Sequence, residues 1–112
     1  MKLTQEIMPD GVYRLALEGP LDIAGAAHVD LPFADAAQKQ SKLIVDISGV
    51  DFLASIGVRV LVKTAKAVAE RGGRMATYGA QAAPKKVLDS TGTDKIVIRG
   101  EDQDAALAHV NR

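Results

Sequence analysis

The stretch 43–62 limits the possible fold more than any other part of the chain. Leu43-Ile44-Val45-Asp46-Ile47 is a short, β-branched apolar run broken by one acid and closed by Ser48-Gly49. Such a run suits a strand in the middle of a sheet. After a loop the period changes. Small or apolar residues stand at 57, 60, 61, 64, 65 and 68, the i, i+3, i+4 spacing of a helix. Arg59, Lys63, Lys66 and Glu70 fall on the opposite face. Ser55 stands where the helix begins. A hydroxyl there can cap free backbone N–H groups. It can also accept a phosphoryl group, because a helix N-terminus favours phosphate oxygens.

Strand and helix patterns alternate along the rest of the chain. Residues 2–8 and 12–18 read as two strands joined by the turn Pro9-Asp10-Gly11, a hairpin. Gly19-Pro20-Leu21-Asp22 closes the second strand, and Asp22 is placed to cap the next segment. Residues 23–40 hold a first helix, which Pro32 is expected to kink or to force into a late restart capped by Asp30. The second helix covers 55–71 and stops at Gly72-Gly73. A strand at 74–79 comes next. A short helix then runs from Pro84 to Asp89 or Ser90, with Val87 and Leu88 facing inward. Ile96-Val97-Ile98 reads as the last strand. Glu101-Asp102-Gln103-Asp104 opens a final helix whose apolar face is Ala105, Leu107, Ala108 and Val110. The order β-β-α-β-α-β-α-β-α predicts an α/β fold, a mostly parallel sheet with an antiparallel edge hairpin. At 112 residues it is one domain, 1–112.

Composition excludes several function classes. Fourteen basic and 14 acidic residues cancel, which argues against a general grip on nucleic acid or an anionic membrane. There is no cysteine, hence no disulfide and no thiolate metal site. No apolar run has the length of a membrane span, and Met1-Lys2-Leu3 does not lead into a signal peptide. The chain is expected to be soluble and cytoplasmic, with no membrane insertion. His28 and His109 lie in different helical segments without motifs around them, and both are expected in solvent-exposed roles. There is no glycine-rich phosphate loop and no metal-binding His pair. No two carboxylates are brought together by spacing for acid–base work. The expectation is a protein that is not an enzyme and needs no cofactor. A phospho-accepting receiver domain has similar size and alternation. It needs an acidic pair after its first strand, whereas Asp10 lies in a hairpin turn and Asp46 inside a strand.

The central stretch resembles the core motif of the STAS domain family, named for sulfate transporters and anti-sigma factor antagonists. The matching residues are Ile44-Val45-Asp46-Ile47, then Phe52-Leu53, then Ala54-Ser55-Ile56-Gly57. Gly19-Pro20-Leu21-Asp22 is similar to the family's Gly-Glu-Leu-Asp turn, and Val87-Leu88-Asp89-Ser90-Thr91-Gly92 is similar as well. Ser55 falls on the phosphorylatable serine and Gly57 on a motif glycine. Two positions depart: Ala54 stands where the family has Asp, and Arg59 where it has a second glycine.

The resemblance implies the STAS fold and an anti-sigma factor antagonist, or anti-anti-sigma factor, acting in transcription regulation by partner switching. Such a phosphoprotein binds an anti-sigma factor with serine kinase activity and frees a sigma factor. Phosphorylation at Ser55 ends the complex, and a serine phosphatase restores it. No direct contact with nucleic acid is implied. The implied partner-binding residues are Gly19, Asp22, Asp51, Phe52, Ala54, Ser55, Ile56, Gly57 and Arg59. The alternative is a constitutive STAS protein-interaction subunit of a lipid-transport or signalling complex. As a loop position, Ala54 is expected to tolerate Ala54→Asp with little change in stability. As a cap, Ser55 is expected to lose about 1 kcal/mol on Ser55→Ala.

Overall fold

One hairpin turn and three helical crossovers set the architecture. The structure is a computed structural model and describes residues 1–112. β1 (Lys2–Ile7) and β2 (Tyr13–Glu18) pair antiparallel in the register Lys2↔Glu18 to Ile7↔Tyr13. Their turn closes where the Gly11 amide donates to the Met8 carbonyl at 2.9 Å. Gly11 sits at φ 84°, a conformation natural to glycine. The chain then alternates through α1 (Ile23–Lys39), β3 (Lys42–Gly49), α2 (Ser55–Glu70), β4 (Arg74–Tyr78), α3 (Ala82–Ser90), β5 (Ile98–Gly100) and α4 (Gln103–Val110). The sheet order is β1-β2-β3-β4-β5, and every pair after the first is parallel. The element order and the sheet are those expected from the sequence.

Burial is unequal on the two sheet faces. The main core packs Leu15 and Leu17 of β2, Leu43, Val45 and Ile47 of β3 and Met75 of β4 against α1, α2 and Leu88 of α3. The opposite face carries a smaller cluster: Val12, Ile44, Ala76 and Tyr78 under Ala106 and Val110 of α4. β3 is therefore buried on both sides, which is why its sequence is a nearly unbroken apolar run.

Four expectations need correction. α1 is continuous from Ile23 to Lys39 with Pro32 inside it, so no restart at Asp30 occurs. Asp22 caps its first turn, its carboxylate accepting from the Gly25 amide at 2.8 Å. Proline costs roughly 3 kcal/mol in a helix interior. Val29 and Phe33 flank it, both fully buried. At about 1.5–3 kcal/mol for each such side chain, their burial outweighs the local break. β5 is Ile98–Gly100, not 96–98. The Thr93 carbonyl accepts from the amides of Ile96 (2.9 Å) and Val97 (2.8 Å), which holds both in a turn. Pairing with β4 starts only at Ala76↔Ile98. In α4 the inward residues are Ala106, Leu107 and Val110, while Ala105 and Ala108 face solvent. Asp102 sets that phase by capping the helix, accepting from the Ala105 amide at 2.9 Å. His28 is exposed as expected, but His109 is half-buried. Burial, with Arg112 and Arg74 nearby, holds its imidazole below the ordinary value.

Candidate functional site

β2 and β3 are parallel neighbours, so the loops leaving their carboxyl ends emerge side by side. Main-chain bonds tie these loops together. The Gly19 amide donates to the Gly49 carbonyl at 2.9 Å, the Leu21 amide to Phe52 at 2.8 Å, and the Ala54 amide to Leu21 at 3.1 Å. Leu21 and Leu53 form a single parallel bridge and are both buried. α1 and α2 each start directly from this double loop. The face combines 19–22, 51–54 and the first turn of α2, and so brings together residues more than 30 positions apart in sequence.

Glycines fix how closely the helices approach. A Cβ on Gly57 would lie 2.7 Å from the Leu21 carbonyl oxygen, 2.8 Å from Leu21 Cγ and 2.9 Å from Leu53 Cδ1. A Cβ on Gly25 would collide with the Pro20 carbonyl oxygen. The segment 20–21 is thus pressed by both helix starts.

Asp51, Phe52, Ser55 and Arg59 are exposed, while Gly19, Asp22, Ala54 and Ile56 are half-buried. Phe52 keeps 53% of its surface in solvent. Gly57 corrects the sequence reading, because it is buried and acts as a spacer beneath the face instead of a contact on it. Asp22 is occupied as the cap of α1. Ser55 is not the cap of α2. Ala54 holds that position with extended backbone and no side-chain hydrogen bond, and Ser55 is the first helical residue. The Ala54 carbonyl accepts from the amides of Gly57 (2.9 Å) and Val58 (3.1 Å). The amides of Ser55 and Ile56 make no such main-chain bond. They are the unpaired donors that every helix start leaves.

This geometry changes the expectation for Ala54. An aspartate at the N-cap would supply the missing side-chain acceptor, and alanine there costs roughly 1 kcal/mol against it. Ala54→Asp is therefore expected to raise stability by about 1 kcal/mol, measured as a shifted urea midpoint at constant slope. An unchanged midpoint would show that the loop bonds already fix the helix start.

A polar network lies on the α4 side of the sheet, and of its members only Asp46 belongs to a motif read in the sequence. Arg14 of β2 donates to Asp46 of β3 at 2.6 Å, to Glu6 of β1 at 3.1 Å and to the Tyr78 hydroxyl of β4 at 2.8 Å. The Ser48 hydroxyl and amide donate to the other Asp46 oxygen, at 2.6 and 2.9 Å. The Tyr78 hydroxyl donates in turn to Gln103 of α4 at 3.0 Å. Burial opposes ionisation of Asp46, but the Ser48 donors and the Arg14 guanidinium outweigh it and hold its carboxyl below the usual range. Glu6 lies opposite Arg14 in the register, and Asp46 lies two residues beyond Arg14's own partner Ile44, on the same side of the sheet.

No group of three or more His, Cys, Asp or Glu side chains is placed to hold a metal ion. No helix is long and apolar enough to cross a membrane. The architecture and the loop face can be set beside known proteins. A family model described as the STAS domain matches residues 6–106. No curated protein matches the chain. Among solved structures, a candidate anti-sigma factor antagonist of Thermotoga maritima superposes with a TM-score of 0.88 at 24% identity, covering 98% of this chain and 95% of that one. An anti-sigma factor antagonist of Mycobacterium paratuberculosis gives 0.84 at 26% identity, covering 99% and 96%. The Bacillus cell fate determinant SpoIIAA in its phosphorylated form gives 0.73 at 16% identity, covering 97% and 99%.

Proposed function

We propose that this chain, which belongs to the STAS domain family, is an anti-sigma factor antagonist switched by phosphate at Ser55. Unphosphorylated, it binds an anti-sigma factor with serine kinase activity through the double-loop face and frees a sigma factor. The similarity to the Mycobacterium paratuberculosis antagonist supports the general role. The observation that carries the switch is the position of Ser55, exposed at the first residue of α2 beside two unpaired amides. The cytoplasm is the compartment this role requires.

The reaction is the kinase's and this chain is the substrate. The Ser55 hydroxyl oxygen bonds to the γ-phosphorus of ATP. The bond from that phosphorus to the bridging oxygen breaks, ADP leaves, and the hydroxyl proton passes to a base on the kinase. A serine phosphatase reverses the state by hydrolysis. The new group carries close to two negative charges and three acceptor oxygens. The helix start tolerates it, so the fold holds. The partner does not, because the dianion must be desolvated against a surface shaped for a hydroxyl.

The test pairs two substitutions. Ser55 does not cap, so Ser55→Ala is now expected to change stability by less than about 0.5 kcal/mol. Ser55→Asp adds charge at a favourable helix end and is expected to gain a few tenths of a kcal/mol. Ser55→Ala should bind a cognate kinase-type anti-sigma factor like wild type in calorimetry and take no phosphate from ATP. Ser55→Asp should bind about tenfold or more weakly, a difference of about 1.4 kcal/mol. Wild type that gains no phosphate by mass spectrometry, together with equal binding by both variants, would refute the switch.

A further inference from the structure

An apolar groove of about 500 Å³ runs between α1 and α2. Ile23, Ala27 and Leu31 form one wall, at successive i+4 steps along α1, and Ile56 and Val60 form the other. Ile23 and Leu31 are each 79% exposed. Neither belongs to the core that α1 makes with the sheet. A helix places such a stripe outward at a cost in hydration, and nothing in this chain covers it. Both helices return from the carboxyl ends of parallel strands, so the two walls run in the same direction. The stripe from Ile23 to Leu31 spans about 12 Å, two helical turns. Few polar groups converge in the groove, which makes it a poor pocket for a small molecule. Two parallel ridges are instead what the side chains of a third helix interdigitate with.

The groove's charged lining is Arg59, Lys63 and Asp30, one positive charge in excess although the whole chain is neutral. Lys63 is held by Asp30 at 3.5 Å. Arg59, exposed at the groove's edge, enters no ion pair. Such a rim favours carboxylates on the occupant.

Resting on the antagonist reading, we infer that the groove between α1 and α2 receives an acidic amphipathic helix of the anti-sigma factor, with Arg59 as its anion anchor. The groove opens at its Ile56 end onto the double-loop face, so one partner covers both. Ser55 and Arg59 are four residues apart on α2 and both exposed. A phosphate on Ser55 is therefore within reach of the Arg59 guanidinium. The cation that holds the partner's carboxylate is then engaged within the chain, and release follows from competition as well as repulsion. The arginine that replaces the motif's second glycine acquires a purpose by this route.

The test uses full-length isotope-labelled protein and two stapled helical peptides of about 14 residues, long enough for the groove. Both carry leucines at i, i+4 and i+7; one is flanked by glutamates, the other by lysines. The glutamate peptide should shift the resonances of Ile23, Leu31 and Ile56, and the lysine peptide should not. Arg59→Ala should weaken the glutamate peptide about fivefold. Arg59→Glu should reverse the preference between the peptides. Leu31→Glu, at an exposed site that should fold normally, should abolish binding. Equal binding of both peptides, shifts outside the groove, or no shifts at all would overturn the proposal. So would self-association, or adsorption to anionic vesicles, that Leu31→Glu removes, since a second copy or a lipid surface would then be the occupant. No kinase or ATP is present, so failure here leaves the Ser55 switch standing. A Ser55 that takes no phosphate, conversely, leaves the groove result intact.

Discussion

Gly57→Val is expected to cost about 3 kcal/mol of stability, a large share of the roughly 5–15 kcal/mol that holds a domain together. The first side-chain carbon alone would stand 2.7 Å from the Leu21 carbonyl oxygen. That oxygen is not free to move, because it accepts from the Ala54 amide, and the Leu21 amide is itself bound to Phe52. Overpacking of this kind costs typically about 1–3 kcal/mol. Valine adds two methyl groups beside Leu53 Cδ1 and gains less helix propensity than alanine. Gly57→Ala should cost less, about 1–2 kcal/mol, because the helix recovers up to roughly 1 kcal/mol when glycine is replaced. Urea unfolding of the two variants checks the order. A valine variant as stable as wild type would mean that the 20–21 segment can yield without loss.

The second large effect is expected at Asp46. Its side chain and that of Arg14 are 15% and 19% exposed, and the pair is 2.6 Å apart. Asp46→Ala leaves Arg14 with Glu6 and Tyr78 alone and strips the Ser48 hydroxyl of its acceptor. Hydrogen bonds to charged groups contribute roughly 1.5–3 kcal/mol each, but Arg14 keeps other partners, so a net loss of about 2 kcal/mol is expected. The sign with pH comes from the lowered carboxyl. The folded state binds this proton less readily than the unfolded chain. Its contribution is then present above the ordinary aspartate value of about 3.9 and is lost as pH falls through the lower folded value. The melting-temperature gap between wild type and Asp46→Ala should be widest at about pH 5–7 and narrow below about pH 4. A gap that stays constant down to about pH 3 would show that the loss is packing alone.

The alternation of strands and helices was legible because periodicity reports burial, and burial decides these elements. The nearly unbroken apolar run of β3 announced a strand covered on both sides. The same logic misplaced β5. Val97 is apolar because it fills the core from a turn, which a strand pattern does not distinguish. At Pro32 a local rule lost to tertiary packing: the residue breaks an isolated helix but sits between Val29 and Phe33, which the sheet holds. The loops of the site were legible through their motif, and the roles of two residues within it were not. Ser55 and Ala54 differ by one position along the chain, yet only one can be the cap, and sequence spacing does not resolve that step. The network around Arg14 was invisible for another reason. Its members come from several strands and one helix and become neighbours only through register. The stripe Ile23, Ala27, Leu31 was readable as i+4 spacing, but its outward direction depends on where the sheet lies.

The double loop bears on how related STAS chains stay apart. Its shape is held by amide and carbonyl groups, which every sequence possesses, and by a few buried residues such as Leu21, Leu53 and Gly57. The outward side chains of Asp51 and Phe52 carry no share of that task. They can be exchanged without reshaping the surface beneath them. On the proposed reading, a cell that duplicates such a chain can retune the copy's partner by rewriting these positions, and crosstalk can be selected against without first repairing a damaged fold.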